Sequence, residues 1–213
     1  MFYTSRTAFN AANPGLPVED FEEARLATGT AVRIASPLNS STSNSVFSPG
    51  DILPGLGVAS LLVSGSSALV AVGPGVLTGT SKMIGDVRQF PQDDALLLLF
   101  NPGVASVGAA LFLAKSPGNS VARTVFITAF GPLVNGDLPL TGLGSTSVDL
   151  AAVSGGFFGV RSSDPIFAIT IGSNVDSNLS GFSEFVDNIA FGNPVASENF
   201  SVVPEPTTAG MLA

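Results

Sequence analysis

The sequence predicts an all-β protein, a jelly-roll β-sandwich that carries a short N-terminal helix and ends in a flexible C-terminal tail. From residue 46 onward, short apolar runs are separated by Gly, Pro, Asn or Asp at intervals of about 8–12 residues, which is typical of sandwiches and barrels. The 213 residues include 24 Gly and 15 Pro but only 11% charged residues, as in turn-rich β proteins. Beyond the N-terminal arm, no long window shows helical periodicity. We therefore expect one domain, residues 19–193, between an arm, 1–18, and a tail, 194–213.

The arm is predicted to form one short helix. Thr4 or Ser5 can cap its first turn, residues 6–12 continue it, and Asn13-Pro14-Gly15 ends it. A helix of this length is unstable alone, so Phe9 is expected to hold it against the domain.

The domain is predicted to consist of short strands. The first two candidates are residues 19–22, where Phe21 lies between acidic residues, and 27–34. Further candidates are 52–58, 60–63, 68–72, 95–100, 107–113, 124–130, 147–151, 157–161, 167–171 and 185–191.

Residues 95–100 contain four consecutive leucines and are followed by Asn101-Pro102-Gly103. This pattern predicts a strand inside the sheet that is buried on both faces.

The composition excludes several classes of function. The net charge is −8 and the 8 Lys and Arg residues are scattered, so no basic patch forms and nucleic acid is not an expected partner. Without Cys there is no disulfide framework, thiolate zinc site or cysteine nucleophile, and without His there is no Ser-His-Asp triad. A metal site must therefore use oxygen ligands, which favour calcium or magnesium.

An enzyme is not expected from the remaining motifs. The sequence contains no nucleophile elbow, Walker loop or dinucleotide-binding fingerprint. A glycoside hydrolase needs only two carboxylates, and 16 acidic residues are present, so a hydrolase or lyase is the third alternative for function. The adjacent pair Asp93-Asp94 does not favour it, because neighbouring residues of a strand point to opposite faces.

A calcium loop is the strongest candidate site. Read from position 176, oxygen-bearing side chains recur with the spacing of a calcium-binding loop, with Gly181 at the sharp turn. The candidate ligands are Asp176, Asn178, Ser180, Glu184 and Asp187. The last ligand is Asp instead of the longer Glu, and the flanks are predicted strands instead of helices. An ordinary polar loop between strands is the alternative.

The C-terminal residues carry a family resemblance. Pro204-Glu205-Pro206, followed by small and apolar residues, resembles the sorting signal of bacterial PEP-CTERM proteins. Residues 3–9, 20–22, 158–163, 166–169 and 186–192 also resemble the opening and closing strands of such proteins. The resemblance implies that an exosortase recognises the signal during export to the cell surface or extracellular matrix. It also implies a sandwich similar to carbohydrate-binding modules. The seven residues after Pro206 are too few to form the spanning helix of that family, so the chain as given has no membrane span.

Asp187 offers a second arrangement for a metal ion. Strand alternation places it on one face with Phe185, Ile189 and Phe191, where a carboxylate requires hydrogen bonds, neutralisation or a cation. Jelly-roll carbohydrate-binding modules often hold a structural calcium between acids of their first and last strands. By that resemblance, Asp187 meets Glu22 across a structural calcium, and we favour this arrangement over closure of the loop.

The function expected from these features is that of an exported, non-enzymatic structural protein of the cell surface or extracellular biofilm matrix. Its expected partners are an exosortase during sorting, and extracellular polysaccharide or further copies of itself afterwards. A carbohydrate-binding module is the alternative. The absence of Trp and the single Tyr, Tyr3, argue for caution, because sugar-binding platforms commonly use exposed Trp and Tyr.

Overall fold

The computed structural model describes residues 1–61, 68–77, 80–86, 95–114, 123–134, 137–150, 155–173 and 183–193. These residues form one helix, α1, Arg6–Ala12, and twelve strands. The strands are β1 Phe2–Tyr3, β2 Val18–Glu19, β3 Ala31–Ala35, β4 Leu38–Asn39, β5 Leu56–Leu61, β6 Ala68–Val72, β7 Met83–Asp86, β8 Ala95–Ala114, β9 Arg123–Val134, β10 Asp137–Leu150, β11 Gly156–Ser173 and β12 Ser183–Gly192. The predicted tail, 194–213, lies outside the described residues.

The predicted N-terminal helix is confirmed. The Ser5 hydroxyl accepts a hydrogen bond from the Ala8 N–H, and the Asn13 N–H donates to the Phe9 and Asn10 carbonyls at the other end. The side chain of Phe9 is fully buried and packs against Phe157 and Ala190. The helix is therefore held by the domain, as expected for a helix too short to be stable alone.

The all-β sandwich is also confirmed, and two long antiparallel strands organise it. The first half of β8 pairs with β5 and with the second half of β11, whereas the second half of β8 pairs with β12 and with the first half of β11. The exchange occurs at residues 101–106 of β8 and 161–166 of β11, where the register shifts. Buried residues from both halves belong to one hydrophobic cluster. One open sheet therefore supplies both layers of the sandwich.

The order of strands in the sheet differs from their order in the chain. Strand β11 lies between β8 and β9, and the main path through the sheet is β10-β9-β11-β8-β12-β7-β6-β3. Strand β2 pairs with β12, and β1 pairs with β11, so the first residues of the chain join its last strands. Such non-sequential pairing is common to Greek-key and jelly-roll sandwiches.

Six predicted strands were wrongly separated by apparent breaks in the sequence. Candidates 52–58 and 60–63 meet in one strand, β5, which begins only at Leu56. Candidates 95–100 and 107–113 are one strand, β8, and candidates 157–161 and 167–171 are one strand, β11. Neither Asn101-Pro102-Gly103 nor Ser162-Ser163-Asp164-Pro165 ends a strand, because the chain stays extended there while its pairing partners change. These segments act as bends inside long strands instead of turns between short ones.

Other differences concern single strands. The strand predicted at 27–34 begins at Ala31, and the two-residue strands β1 and β4 were not predicted. The strand predicted at 19–22 ends at Glu19, because Phe21 adopts a left-handed backbone conformation with φ 56° and Glu22 lies in the following turn. Strand β7 was not predicted, because all four of its residues are buried and its sequence shows no alternation.

The position of residues 95–100 inside the sheet is confirmed, but their burial on both faces is wrong. Leu96 and Leu98 are fully buried, whereas Leu99 is 37% exposed. This half of β8 therefore has an inner face that packs in the core and an outer face that is open. The one helix of the described segments, α1, has seven residues and is too short to cross a bilayer.

Candidate functional site

Asp187 lies at an irregularity in β12. The pairing of β12 with β8 shifts between Asp187 and Ala190, and Asn188 has a left-handed backbone with φ 53°. The Asp187 side chain is buried, and its two oxygens accept hydrogen bonds from the Asn188 backbone N–H at 2.6 Å and the Asn188 side-chain amide at 2.7 Å. These hydrogen bonds stabilise the bulge. Asn188 fits the position, because Asn is one of the few residues that tolerates a left-handed backbone.

Charged and polar groups from three other segments surround Asp187. Burial raises the pKa of its carboxyl to about 6, and the negative charge of Glu22 adds to this rise. The two Asn188 donors and the Ser81 hydroxyl oppose it. The Arg6 guanidinium lies close enough for its charge to interact with Asp187, and it donates to the Asn188 carbonyl at 3.0 Å. The site is therefore a network that joins the arm, the turn after β2, the residues before β7, and β12.

Glu22, the predicted partner of Asp187, is near enough to affect its pKa but has its own cation. Its carboxylate accepts a hydrogen bond from the Lys82 backbone N–H at 3.1 Å and lies 3.6 Å from the Lys82 ammonium. The Lys82 ammonium also donates to the Glu22 carbonyl at 2.6 Å. A calcium ion between Glu22 and Asp187 would have to compete with Lys82 and Arg6, so a structural calcium at this place stays a prediction.

The ligands predicted for the calcium loop are only partly within the described residues. Asp176, Asn178 and Ser180 lie outside them. Glu184 is buried in β12, but strand alternation before the bulge places it on the face opposite to Asp187. Strand β12 therefore does not present Glu184 and Asp187 to the same ion.

A second acidic group was missed at the start of the domain. Carboxylate oxygens of Glu19, Asp20 and Glu23 lie within 4.8 Å of one another. The buried Glu19 accepts hydrogen bonds from the Phe21 N–H at 2.9 Å and the Leu53 N–H at 2.7 Å, and burial raises its pKa. The signal was the acidic run around Phe21, of which sequence reasoning selected only Glu22. Glu19 has a structural task, because it holds Phe21 in its left-handed conformation.

A groove on the outer face of the sheet is the second candidate site. It has a volume of about 660 Å³ and is formed by β5, β8 and β11 with the turn after β4. Its lining residues are Asn39, Ser40, Gly55, Leu56, Gly57, Leu97, Leu99, Phe100, Asn101, Phe167 and Ala168. Apolar side chains form most of the lining, Asn39, Ser40 and Asn101 supply polar groups, and none of the lining residues is ionisable. The Asn39 side-chain oxygen already accepts hydrogen bonds from the Ser41 N–H and hydroxyl, which leaves its amide N–H groups for a ligand.

The outer face continues beyond the groove across β11 and β9. The strand register aligns Gly57, Leu99, Ala168 and Phe130 in one row, and Ala59, Leu97, Thr170 and Thr128 in the next. Further along β9, Phe126 is 43% exposed. The face therefore combines apolar and hydroxyl-bearing side chains over four neighbouring strands. Sequence reasoning missed it, because Leu99 was assigned to a strand buried on both faces and Phe126 was not recognised as exposed.

The comparisons with known proteins are limited. No family model and no curated protein matches the chain. Among solved structures, it is similar to the enzymatically active domain of tailspike protein 4 from bacteriophage CBA120, with 14% sequence identity and a TM-score of 0.34. The similarity covers 65% of this chain and 19% of that chain. A TM-score this low supports no inference about the fold or function of this protein.

Proposed function

We propose that this protein is an exported, non-enzymatic component of a bacterial cell surface or extracellular matrix, and that it binds neutral polysaccharide on the outer face of its sheet. The export part rests on the resemblance of Pro204-Glu205-Pro206 and the residues after it to a sorting signal that an exosortase recognises. The binding part rests on the groove around Leu97, Leu99 and Phe167.

The chemistry of the groove supports a neutral ligand. The protein carries a net charge of −8, yet none of the residues that line the groove is ionisable. An anionic polymer would be repelled by the whole molecule and would find no cation in the groove. A cationic ligand would lose its hydration without meeting a carboxylate there. A neutral sugar chain avoids both costs.

The shape and hydrogen-bonding groups of the groove support a sugar chain in particular. Sugar rings have apolar C–H faces, which can pack on Leu99 and Phe167, and hydroxyl edges, which can bond with the Asn39 and Asn101 amides. The volume of about 660 Å³ lies in the range of ligand sites. Beyond the groove, Phe126 and Phe130 offer aromatic contacts for further units of a chain.

The proposal is tested by affinity electrophoresis of the purified protein in gels that contain neutral β-glucan, neutral galactomannan or anionic alginate. We expect a neutral polysaccharide to retard the protein and alginate to have no effect. Leu99→Ser and Phe126→Ser should each weaken the retardation about tenfold, which corresponds to roughly 1.4 kcal/mol of lost contact. Val18→Ser is the matched control, because Val18 is 44% exposed but lies in β2, away from the groove.

Two results would contradict the proposed binding function. One is the absence of retardation by both neutral polysaccharides. The other is retardation that Leu99→Ser and Phe126→Ser leave at the level of Val18→Ser. Circular dichroism of each variant confirms that the fold is retained before binding is compared.

A further inference from the structure

Among the described strands, β10 lies at one end of the sheet. It pairs with β9 on one side, and among the described residues no strand pairs with its other side. An open edge presents a row of backbone N–H and C=O groups that can accept another strand. We infer that two copies of this protein form a two-fold dimer by pairing their β10 strands antiparallel to each other. This inference does not depend on the polysaccharide-binding function.

The two halves of β10 differ in how well the edge is protected. The pairing with β9 shifts three times between Asp137 and Gly144, and such irregularities disfavour the addition of a strand. From Gly144 to Leu150 the register runs without a shift. Proteins also protect edges with charges and Pro, but this second half contains one acid, Asp149, and no Pro. The second half of β10 is therefore open to pairing.

The other edges are less suitable for pairing. Strand β3, at the far end of the described sheet, has five residues and carries Arg33 at its centre. Strands β1 and β4 have two residues each. Among the described strands, β10 thus offers the longest regular edge without protection.

The side chains of β10 indicate how two copies would fit together. Val148 is half-buried and packs against the hydrophobic core, and Thr146 is half-buried on the same face. Ser145, Ser147 and Asp149 alternate with them on the exposed outer face. A second β10 would place Thr146 and Val148 beside Val148 and Thr146 of the other copy, and it would extend the core row across the dimer.

Facing and charge limit the register of the pairing. Residues opposite each other in an antiparallel pair point to the same face of the sheet. At the two-fold axis, one residue must therefore lie opposite the same residue of the other copy, since its sequence neighbour points to the other face. Centring the pair on Ser147 uses all seven residues of the regular run, from Gly144 to Leu150. This register sets Val148 opposite Thr146 and Asp149 opposite Ser145, and it keeps the two Asp149 side chains apart.

The electrostatic cost of this dimer is small at physiological ionic strength. The Asp149 carboxylate already accepts a hydrogen bond from the Thr124 hydroxyl at 2.6 Å. In the proposed register the two Asp149 residues are separated by four residue spacings, or roughly 13 Å, which exceeds the Debye length of about 8 Å. Because each copy carries a net charge of −8, we expect the dimer to strengthen as salt is added.

The natural absence of Cys allows the register to be mapped by cross-linking. Single variants Ser145→Cys, Ser147→Cys and Asp149→Cys introduce the only thiol of the chain. Opposite residues in an antiparallel pair have Cα atoms about 4.5–5.5 Å apart, which a disulfide can span, whereas roughly 13 Å cannot be spanned. Under mild oxidation we expect Ser147→Cys to form at least tenfold more disulfide-linked dimer than the other two variants. Ser163→Cys, at an exposed position in β11, is the control.

The oligomeric state is measured independently by sedimentation of the protein without Cys. We expect a monomer–dimer equilibrium at micromolar concentrations, because a seven-residue strand pair buries less surface than a standard interface. Ser147→Lys should shift the protein to monomer, since two lysines would meet at the axis, whereas Ser163→Lys should not. The inference is overturned if Ser147→Cys cross-links no better than Ser163→Cys, if all β10 variants cross-link equally, or if the wild-type protein is monomeric at every concentration.

Discussion

Asp187 combines two solutions to the cost of burying a carboxylate. It accepts hydrogen bonds from Asn188, which favour the charged form, and its pKa is raised to about 6, which favours the neutral form near that pH. Burial is the first cause of the rise, the charge of Glu22 adds to it, and the Ser81 hydroxyl opposes it. Arg6 supplies positive charge from the helix. The folded protein therefore binds a proton at Asp187 more readily than the unfolded chain does.

The raised pKa predicts a pH dependence of stability. A carboxyl whose folded pKa of about 6 exceeds its ordinary value of 3.8 stabilises the fold fully below pH 3.8. That stabilisation is lost as the pH rises through 6. Between pH 7 and pH 5, the melting temperature of the wild type should therefore rise relative to that of Asp187→Asn. Asp164→Asn, which replaces an exposed acid, is the control. Parallel melting profiles of the wild type and Asp187→Asn over this range would show that Asp187 does not titrate there.

Helix α1 is attached to the sheet through two glycines. Gly108 of β8 and Gly159 of β11 are directly opposite each other, and the ring of Phe9 lies on them. A Cβ at Gly159 would lie 2.5 Å from Phe9 Cδ2, and a Cβ at Gly108 would lie 2.8 Å from Phe9 Cε1. Only residues without a side chain allow the Phe9 ring to approach the sheet so closely.

This packing predicts that Gly159→Ala destabilises the protein by about 1–3 kcal/mol, because the added methyl group displaces the Phe9 ring. Urea-induced unfolding measures the change. In a Phe9→Ala background the space is already free, so the same substitution should cost less. Gly142→Ala is the control, because a Cβ there would meet nothing within 4 Å. Equal costs of Gly159→Ala with and without Phe9 would show that the ring is not held by the glycines.

The elements that were predictable from sequence are those with local causes. Ser5 and Asn13 are next to the helix that they begin and end, so α1 was predicted to the residue. The continuity of β8 through Pro102 was not predictable, because it depends on β5, β11 and β12, which are distant in sequence. The left-handed Phe21 was missed for the same reason, since Glu19 also bonds to Leu53, 34 residues away.

The two candidate sites differ in the same way. Alternation in β12 predicted that Asp187 needs partners, and the resemblance to carbohydrate-binding modules suggested Glu22 as one of them. In the structure, Glu22 is near enough for its charge to raise the pKa of Asp187. The groove depends on which strand faces remain uncovered. The sequence of Leu96 to Leu99 does not reveal that one face is exposed, because four consecutive leucines are equally compatible with burial on both faces.

At the scale of the whole molecule, the two ends of the described chain are joined. Strand β2 pairs with β12 through Val18 and Glu19, and the Arg6 guanidinium donates to Asn188. The acids in this region belong to two groups, Glu22 with Asp187, and Glu19 with Asp20 and Glu23. A cation between Glu22 and Asp187 would hold the N-terminal segment against β12, and it would therefore stabilise the fold as a whole. A cation at Glu19, Asp20 and Glu23 would stabilise only the turn that follows β2.

The predicted structural calcium is tested by melting the protein in excess calcium and in chelator. A ligand that binds only the folded state stabilises it by about 2.7 kcal/mol at one hundred times its dissociation constant, so calcium should raise the melting temperature by several degrees. If the ion lies between Glu22 and Asp187, Asp187→Asn should abolish the response and Glu23→Gln should retain it. If the ion lies at Glu19, Asp20 and Glu23, Glu23→Gln should abolish the response and Asp187→Asn should retain it. Equal melting temperatures of the wild type in calcium and in chelator would rule out both sites, and the hydrogen bonds from Asn188 and the charge of Arg6 would then account for Asp187 without a metal.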